Sequence, residues 1–593
     1  MVRSVAISAV LGLSVLAAAP SVFADDLPTS VVNKLGVDQD VRSGMKVLRD
    51  EILAGTVILP DLYPSATYLD IVHQLQLRGE NVQVNLPSGD YVQQFAGFRP
   101  FVRATQSEVS TAAFGKNIVL GYNNSAGIHV SPNPSGPGLV VDRVQISGFA
   151  ASNDGGQSWI NGFLPSSHNA TQTFGDPSVG VDRHGVFYYA TLAADDLGRG
   201  TIQVNTSTDG GATWGEGVIV QQDDGSDKEW LAVGPDPVNR NRDNVYVTWT
   251  SFQASACELR FGRSTDGGAT WTPKTIFIPT ADPNPVNPQN CLTFSNPVVD
   301  IITGTLYVPF LRFSNANQDF IQIMVSEDAG ETFHFATFNV PGAPSPTVLP
   351  VTPPGELTSC GETTTGPNIR LTIHGTTNAG PGIHGYPRYI NASRMTLQPA
   401  AAARNGVVYL AWSNSATSVY GSSAGSNVWF VRSNDGGRSW NAPVMVNPAI
   451  TTDKHHVLPS LAIDENPNSV HVSYYTQHTA DSSIDLDMAN SHDAGNTFPA
   501  QRTARVTETS FYLPPTNIPL TDAPDFNATN FDRQIAVCYS LGEYQDVTAA
   551  NGSVYVGWGD ARNQITEPVD PLDPISGQTH PQQDVFFQKV KAQ

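Results

Sequence analysis

One eight-residue pattern recurs six times along this chain and constrains its fold more than any other feature. Its fullest form, Ser-Thr-Asp-Gly-Gly-Ala-Thr-Trp, occurs without change at 207–214 and 264–271. An Asp side chain can accept backbone N–H groups across a tight turn, and Gly tolerates the positive φ that such turns need. The last residue is Trp or Phe, an apolar anchor that can wedge between neighbouring sheets. We therefore assign a structural role in a turn to Asp154, Asp209, Asp266, Asp328, Asp435 and Asp493.

The spacing of these turns predicts a repeat fold made of β-sheets. Successive turn aspartates lie 55 to 62 residues apart, except for one interval of 107 that follows Asp328. Strands rich in Val, Tyr and Trp recur with the turns, from 117–122 to 552–558, and number seven. The 51 Gly and 43 Pro residues fit many short strands joined by tight turns. The fold we expect is all-β, a seven-bladed β-propeller of four-stranded antiparallel blades, with six blades as the alternative.

Three segments flank or interrupt the repeats. Residues 1–24 have the basic start, apolar run and small residues that are typical of a secretory signal peptide. Residues 25–105 form an N-terminal extension that we expect to pack on the propeller, which spans 106–593. The segment at about 339–393 is rich in Pro, Gly and Thr and is interpreted as an insertion between two blades. Because the last blade lacks the repeated turn, a strand near 81–86 is expected to complete it and close the ring.

The predicted export and the charge balance limit the partners of this chain. Export predicts a secreted, extracytoplasmic protein, and no later apolar run reaches the ~18 residues that a membrane span needs. With 32 Lys and Arg against 54 Asp and Glu, the net charge is −22. A surface of this sign repels nucleic acid and anionic lipid. We therefore expect a monomer that binds neither nucleic acid nor a membrane surface.

The repeated turns resemble the Asp-boxes, or BNR repeats, of the sialidase superfamily, and the resemblance covers about residues 106–590. It implies a propeller in which each box joins the third and fourth strands of a blade, on the face opposite the active site. It also implies glycan chemistry, with an extracellular glycan or glycoconjugate as the partner. Sialidase-like enzymes hold a substrate carboxylate with three arginines and use a tyrosine nucleophile, a glutamate that activates it, and an aspartate as acid and base. The boxes indicate the fold and say little about activity, since one fold hosts many functions.

Ligands of propellers usually bind where the inner strands begin around the central opening, so residues at those points are the candidates. The segment 542–547, which opens the last blade, resembles the one that carries the tyrosine in the superfamily. Carboxyl groups also begin several earlier inner strands. The predicted catalytic residues are Tyr544, Glu543, Asp176, Glu108 and Glu229.

The substrate-binding candidates are chosen by the same resemblance and by position. The first arginine of the superfamily sits in a Phe/Tyr-Arg-Ile-Pro motif, and this chain has Phe-Arg-Pro-Phe at 98–101, which lacks the Ile and lies several residues too early. The other two arginines match no motif. The candidates are Arg99, Arg388, Arg394, Arg533, His456 and Asp546.

Several functions stay open at this point. One is a sialidase-like hydrolase with Tyr544 as nucleophile. A second uses two carboxyl groups on a neutral glycan, with retention expected at a separation of about 5–5.5 Å and inversion at about 6.5–9.5 Å. A third is a polysaccharide lyase with His455 or His456 as base and Tyr544 as acid. A propeller that binds glycan or protein without catalysis is the alternative to all three.

The four cysteines predict disulfide bonds, and the motifs of the sequence bear on metal binding. An exported chain can form disulfides, and the blade topology places all four cysteines on the face of the central opening. We predict the pairs Cys257–Cys291 and Cys360–Cys538, of which the second would tie the insertion over the opening. The sequence has no zinc-type or calcium-loop motif, so we predict no metal and no required cofactor. Acidic loops at 236–243 and 570–573 leave a structural Ca²⁺ ion open.

Overall fold

The computed structural model describes the chain in segments. They are 70–73, 81–85, 91–93, 101–103, 106–132, 139–167, 170–195, 199–253, 256–279, 292–312, 319–351, 372–373, 393–394, 398–415, 426–448, 454–466, 468–478, 483–511, 542, 544–566 and 579–591.

The described residues form β-strands, with single turns of 3₁₀ helix at Ser125–Gly127 and Ala500–Arg502. The strands up to the end of the first blade are β1 (Asp70–His73), β2 (Val82–Gln83), β3 (Tyr91–Gln93), β4 (Phe101–Arg103), β5 (Gln106–Phe114), β6 (Asn117–Asn124), β7 (Ile128–Pro132), β8 (Leu139–Val144), β9 (Ser147–Ser152) and β10 (Ser158–Phe163). Those of the second and third blades are β11 (Ala170–Val181), β12 (Phe187–Asp195), β13 (Gly200–Ser207), β14 (Val218–Gln222), β15 (Ser226–Pro235), β16 (Asp243–Gln253), β17 (Ala256–Ser264) and β18 (Thr272–Phe277).

The remaining strands continue the same order. Those from the fourth blade to the fifth are β19 (Leu292–Thr293), β20 (Val298–Val299), β21 (Leu306–Arg312), β22 (Asp319–Ser326), β23 (His334–Phe335), β24 (Leu349–Val351), β25 (Thr372–Ile373), β26 (Ser393–Arg394), β27 (Ala400–Arg404), β28 (Val407–Ser415), β29 (Ser426–Ser433) and β30 (Val444–Met445). Those of the sixth and seventh are β31 (Lys454–Ile463), β32 (Val470–His478), β33 (Ile484–Ser491), β34 (Thr503–Arg505), β35 (Asp546–Ala550), β36 (Ser553–Thr566) and β37 (Thr579–Lys591).

Several blades are antiparallel four-stranded sheets in chain order, such as β11-β12-β13-β14 and β15-β16-β17-β18. The fifth and sixth blades join in one larger sheet through a single parallel pair of β29 and β31, Ser426 with His455. The first strand of each sheet contacts the first strand of the next, and β35 contacts β5. First strands therefore surround a common centre, and the predicted all-β propeller class is confirmed. Small residues such as Ala112 and Ala113 of β5 suit this position, because the inner strands converge and leave little room.

The N-terminal extension supplies outer strands to the first and last blades. In the last blade, Val82 and Gln83 of β2 pair antiparallel with Phe587 and Phe586 of β37. The backbone N–H of Val84 donates to Val585 O at 2.9 Å. Thus the segment that the sequence predicts as a closing strand does occupy the outer edge of the last blade. In addition, β1 pairs with β10 and adds a fifth strand to the first blade.

The beginning of the predicted insertion belongs to the fourth blade. There, β23 pairs with one end of β22, and β24 pairs with the other end through Leu349 and Ile321. Leu349 and Val351 are buried. The outer strand of this blade is therefore made of two short pieces, of which the second lies within the predicted insertion at about 339–393.

In five of the six boxes the terminal aromatic residue has a ring contact with the preceding blade. Trp214 of the second blade lies edge-on to Phe149 of the first at 5.9 Å between ring centroids. Phe333 meets Phe261 at 5.3 Å, and Phe498 meets Phe430 at 5.2 Å, in the same relation between neighbouring blades. The last box residue thus joins two sheets, as its wedge-like position in the sequence predicts.

Hydrogen bonds within each box fix the turn between the third and fourth strands. In the second blade, Asp209 Oδ1 accepts from the Ser207 hydroxyl at 2.8 Å and from the Thr213 N–H at 2.9 Å, and Oδ2 accepts from the Thr213 hydroxyl at 2.6 Å. Gly210 and Gly211 have φ of 75° and 86°. Burial opposes ionisation of Asp209, but these hydrogen bonds outweigh it and lower the pKa of the carboxyl. The boxes lie at the end of the blades opposite to the starts of the inner strands.

A search for helices that could cross a membrane finds none among the residues that the structure describes.

Candidate functional site

A repeated irregularity in the inner strands aims side chains at the centre of the ring. In β5, β11, β15 and β31 the pairing with the second strand skips residues. At each skip one non-glycine residue has a left-handed backbone: Glu108 (φ 57°), Asp176 (φ 55°), Lys228 (φ 52°) and Leu458 (φ 48°). Such conformations cost about 1–3 kcal/mol each and are concentrated at functional sites, while bulges redirect side chains. The sequence analysis did not predict these bulges.

Three of these bulge residues meet at one point. The Lys228 ammonium lies 3.2 Å from Asp176 Oδ2 and 3.6 Å from Glu108 Oε1, and all three side chains are buried. Asn123 joins the two acids, since its Nδ2 donates to Glu108 Oε2 at 2.8 Å and its Oδ1 accepts from the Asp176 N–H at 2.9 Å. Inner strands of the first, second and third blades thus each contribute one charged group.

Tyr544 brings the last blade into the same cluster. Its hydroxyl donates to Pro177 O at 3.0 Å, and its ring lies edge-on to Trp230 at 4.8 Å. These contacts extend from the seventh blade to the second and third. Gly542 (φ 85°) precedes Tyr544, and a Cβ atom there would lie 2.3 Å from Glu108 Cγ. Only a glycine therefore lets this segment approach Glu108 so closely.

The electrostatic setting of Tyr544 identifies a third carboxyl group near it. Burial raises the pKa of Tyr544 well above its ordinary value, and the charges of Glu108, Asp176 and Glu229 raise it further. Glu229 is buried and follows Lys228 on β15. We call Glu108, Asp176, Lys228, Glu229 and Tyr544 the acidic cluster.

The structure therefore brings together four of the five residues that the sequence predicts as catalytic. The fifth, Glu543, lies outside the described residues. Lys228 and Asn123 complete the site and were not among the predicted residues. Lys228 stands beside Glu229 in the sequence, and Asn123 ends a second strand on the same side of its blade, so position alone could have suggested both.

Asp546, predicted to bind substrate, instead joins blades. Its Oδ2 accepts from the Thr111 N–H of the first blade at 2.8 Å, and its Oδ1 accepts from the Ser460 hydroxyl of the sixth at 2.9 Å. Burial raises the pKa of Asp546 to about 6, although the hydrogen bonds oppose this. Ser110 and Ser178 occupy the same place in their blades and accept N–H groups of Val179 and Leu231. These contacts give Asp546 the role of linking the last blade to the first.

His456, the other described substrate-binding candidate, is held within the sixth blade. Its Nδ1 lies 3.0 Å from the Thr476 hydroxyl, which donates to Asp487 Oδ2 at 2.7 Å. The ring lies edge-on to Tyr474 at 5.5 Å. His456 and His455 are both buried on β31.

The predicted arginines lie largely beyond the described residues. Arg99, Arg388 and Arg533 fall outside them, and of Arg394 only the backbone pairing of β26 with β25 is described. The structure also shows a buried arginine that is not among the predicted residues. Arg312, at the end of β21, donates from Nη1 to Gln322 Oε1 at 2.8 Å, and its guanidinium lies 5.4 Å from the Phe277 ring centroid.

Of the four cysteines, the structure describes one. Cys257 is disulfide-bonded, while Cys291, Cys360 and Cys538 lie outside the described residues. The two pairings therefore stay predictions. Within the described segments, no group of three or more His, Cys, Asp or Glu residues is arranged to hold a metal ion.

The solved structures that are similar to this chain include sialidases and a polysaccharide lyase. No model of a protein family matches the chain, and no curated protein matches it. Among solved structures, a Hadza microbial sialidase is 15% identical with a TM-score of 0.36, over 90% of this chain and 98% of that one. A phage phi92 endosialidase is 10% identical with a TM-score of 0.38, over 87% and 69% of the two chains.

A polysaccharide lyase described as an ulvan lyase is 9% identical with a TM-score of 0.37, over 68% of this chain and 80% of that one. At these identities and scores, the likeness assigns no activity to this chain.

Proposed function

We propose that the chain is a carbohydrate-active propeller, a glycoside hydrolase of the sialidase-like kind, exported to act on extracellular glycans. The acidic cluster is its reaction centre. One observation carries this proposal: strained backbones on two neighbouring inner strands bring Glu108 and Asp176 together around the Lys228 ammonium of a third. Tyr544 lies beside them, and the charge of Glu229 also acts on it. Buried acids gathered in this way are typical of sites that transfer protons.

The protonation state of Tyr544 decides which residues of the acidic cluster can act as acid, base or hydrogen-bond donor. Because burial and the neighbouring carboxylates raise its pKa, the phenol keeps its proton at neutral pH. A protonated phenol is a weak nucleophile and a good hydrogen-bond donor. We therefore assign the acid and base steps to the carboxyl groups Glu108, Asp176 and Glu229. Tyr544 acts as a hydrogen-bond donor, and its single O–H exchanges Pro177 O for a sugar oxygen or the leaving group when a glycan binds.

The test is a product screen on a panel of neutral and anionic glycans. Reducing ends would report hydrolysis and unsaturated products would report a lyase. The wild type is compared with Glu108→Gln and Glu229→Gln, which keep the shape of the side chain and remove its proton chemistry. We expect both variants to lose at least 100-fold in kcat/KM. Asp300→Asn is the matched control, because Asp300 is a buried acid at the opposite end of an inner strand, where it accepts the N–H groups of Asn405 and Gly406.

Tyr544→Phe tests the assignment of the phenol. Tyr475→Phe is its control, since the Tyr475 hydroxyl also donates to a backbone carbonyl, Gly559 O, at 2.9 Å. We expect a fall of at least tenfold in kcat for the Tyr544 variant and little change for the control. Equal activity of the two variants would remove Tyr544 from the reaction centre.

The burial of the cluster favours a second candidate, a propeller that binds glycan without cleaving it. Glu108, Asp176 and Glu229 are at most 1% exposed, and Tyr544 is 6% exposed. In such a protein the acidic cluster would have a structural role, in which its contacts stabilise the packing of four blades. No cleavage of any glycan, combined with glycan binding that survives Glu108→Gln, would establish this candidate in place of the first.

A further inference from the structure

Lys228 brings a positive charge into a buried group that contains three carboxyl groups. Its side chain is 3% exposed, and those of Glu108 and Asp176 are 0% and 1% exposed. Charges removed from water are strongly destabilising unless they are paired at close range. Two carboxylates near one another also repel, and the repulsion favours protonation of one of them. An ammonium between them counters both effects.

We propose that Lys228 is a positioning residue, whose ammonium holds Glu108 and Asp176 side by side in their ionised form. Its value for catalysis rests on the proposed function, whereas the pairing itself does not. The Nζ atom reaches both acids, at 3.2 and 3.6 Å, from a third strand. Glu108 gains a second donor from Asn123, so its carboxylate is fixed at both oxygens.

The backbone supports this assignment independently of the charges. Lys228, Glu108 and Asp176 each have a left-handed φ between 52° and 57° in a bulge of the inner strand. A regular strand would alternate its side chains and change the direction of these three. Three strained conformations on three strands thus lead to one contact. The other titratable groups that act on this contact are Glu229 on β15, Tyr544 of the last blade and Tyr189 on β12.

The first test is the pH dependence of stability in Lys228→Met. Without the ammonium, the buried carboxyl groups take up protons more readily in the folded state, so their folded pKa lies above the unfolded one. A raised acid pKa makes stability fall as pH rises. We therefore expect the substitution to reduce the folding equilibrium constant at least tenfold more at pH 8 than at pH 5, as measured by urea unfolding. Lys116→Met, at an exposed lysine, should show equal small effects at both values.

Companion variants separate charge from packing. Lys228→Met combined with Glu108→Gln removes one carboxylate and should recover most of the loss at pH 8. Lys228→Arg keeps the charge and should show little of the pH dependence. A loss of stability in Lys228→Met that is the same at pH 5 and pH 8 would overturn the proposal, since apolar packing alone predicts that result.

If Lys228→Met does not fold, a double variant that keeps the lysine and removes the two carboxylates tests the same pairing. Glu108→Gln with Asp176→Asn leaves the ammonium buried beside neutral amides, which disfavours its charged form. Its folded pKa then lies below the unfolded one, so stability should rise from pH 6 to pH 9. An unchanged slope relative to the wild type would count against the pairing.

A kinetic measurement links the pairing to the reaction. With any glycan that the wild type cleaves, Lys228→Met should shift the acidic limb of the kcat/KM profile to higher pH, and Lys228→Arg should restore it. An acidic limb that stays in place would refute the positioning role. If no glycan is cleaved, the proposed hydrolase fails while the stability measurements still decide whether Lys228 holds the two acids ionised.

Discussion

The serine that opens each Asp-box illustrates what single residues contribute. Ser207 is buried, and its hydroxyl both donates to Asp209 Oδ1 and accepts from the Gly211 N–H at 2.9 Å. The sequence points to the aspartate, because a carboxylate in a Gly-rich turn has an evident function. The role of the serine is evident only from the structure, in which its hydroxyl connects the carboxylate to the backbone across the turn.

Substitution of this serine has a predictable effect on stability. Ser207→Ala removes two hydrogen bonds and leaves the Gly211 N–H buried without its acceptor. We expect the free energy of unfolding to fall by about 1–3 kcal/mol. Thr208→Ala, at the exposed neighbouring position, should change it by less than about 0.5 kcal/mol. Chemical denaturation of both variants measures the difference, and equal effects would contradict the role given to the Ser207 hydroxyl.

The sequence predicts which acidic residues belong to the candidate site, but it does not predict the backbone conformations that bring them into contact. Glu108 and Glu229 lie near the starts of inner strands, so the repeat pattern alone brings them to the centre. The pattern also selects Asp176, but the structure places this residue at a bulge in the middle of β11. Lys228 lies near the start of its strand too, but a single lysine among acids usually indicates a solvated surface. Its contact with two carboxylates depends on left-handed backbone conformations that no residue pattern announces, since Glu, Asp and Lys rarely adopt them.

Among the elements, strand β2 and the residues that follow it close the last blade. Asn85 lies just beyond β2 and is buried. Its Nδ2 donates to Asp584 Oδ1 at 2.7 Å and to Gln106 Oε1 at 3.2 Å, and its Oδ1 accepts from the Val585 N–H at 2.9 Å. One side chain thus connects the N-terminal extension with both the last blade and the first.

Loss of this side chain should weaken the closure. We expect Asn85→Ala to lower the free energy of unfolding by about 2–4 kcal/mol, because a buried carboxylate, an amide and a backbone N–H each lose a partner. Asn241→Ala, in an exposed turn, is the control and should have little effect. A loss below about 1 kcal/mol for Asn85→Ala would show that the extension contributes little to ring stability.

At this scale the repeat predicted most of the fold. Boxes and second strands have strong local signatures, namely turn chemistry and runs of Val, Tyr and Trp. The outer strand of the fourth blade has none, because β23 and β24 are short and separated in the chain. Its pieces are held by pairing with β22, a long-range contact that sequence periodicity does not report.

For the molecule as a whole, closure of the ring depends on a belt of side chains that join neighbouring inner strands. Ser110 and Ser178 each accept an N–H of the next blade, and Asp546 does the same for the Thr111 N–H of the first. A carboxylate at this last junction makes closure sensitive to pH, since Asp546 is the member of this belt that ionises.

The sign of this sensitivity follows from the raised pKa of Asp546, about 6 against an ordinary 3.8. Between these values the folded protein binds a proton that the unfolded chain has lost, so the contribution of Asp546 to stability falls as pH rises. The full change is on the order of 2 to 3 kcal/mol from about pH 4 to pH 7. Asp546→Asn cannot ionise, so its stability difference from the wild type should be largest at pH 4 and shrink by that amount at pH 7.

Urea unfolding at pH 4, 5, 6 and 7 measures this difference, and effects of the other titrating groups cancel between wild type and variant. Asp435→Asn is the control. In the folded protein the pKa of the Asp435 carboxyl lies below its ordinary value, so its contribution to stability is lost only under pH 4 and stays constant over this series. A constant difference for Asp546→Asn across the series would mean that this carboxyl ionises as readily in the folded ring as in the unfolded chain, and that closure does not respond to pH through it.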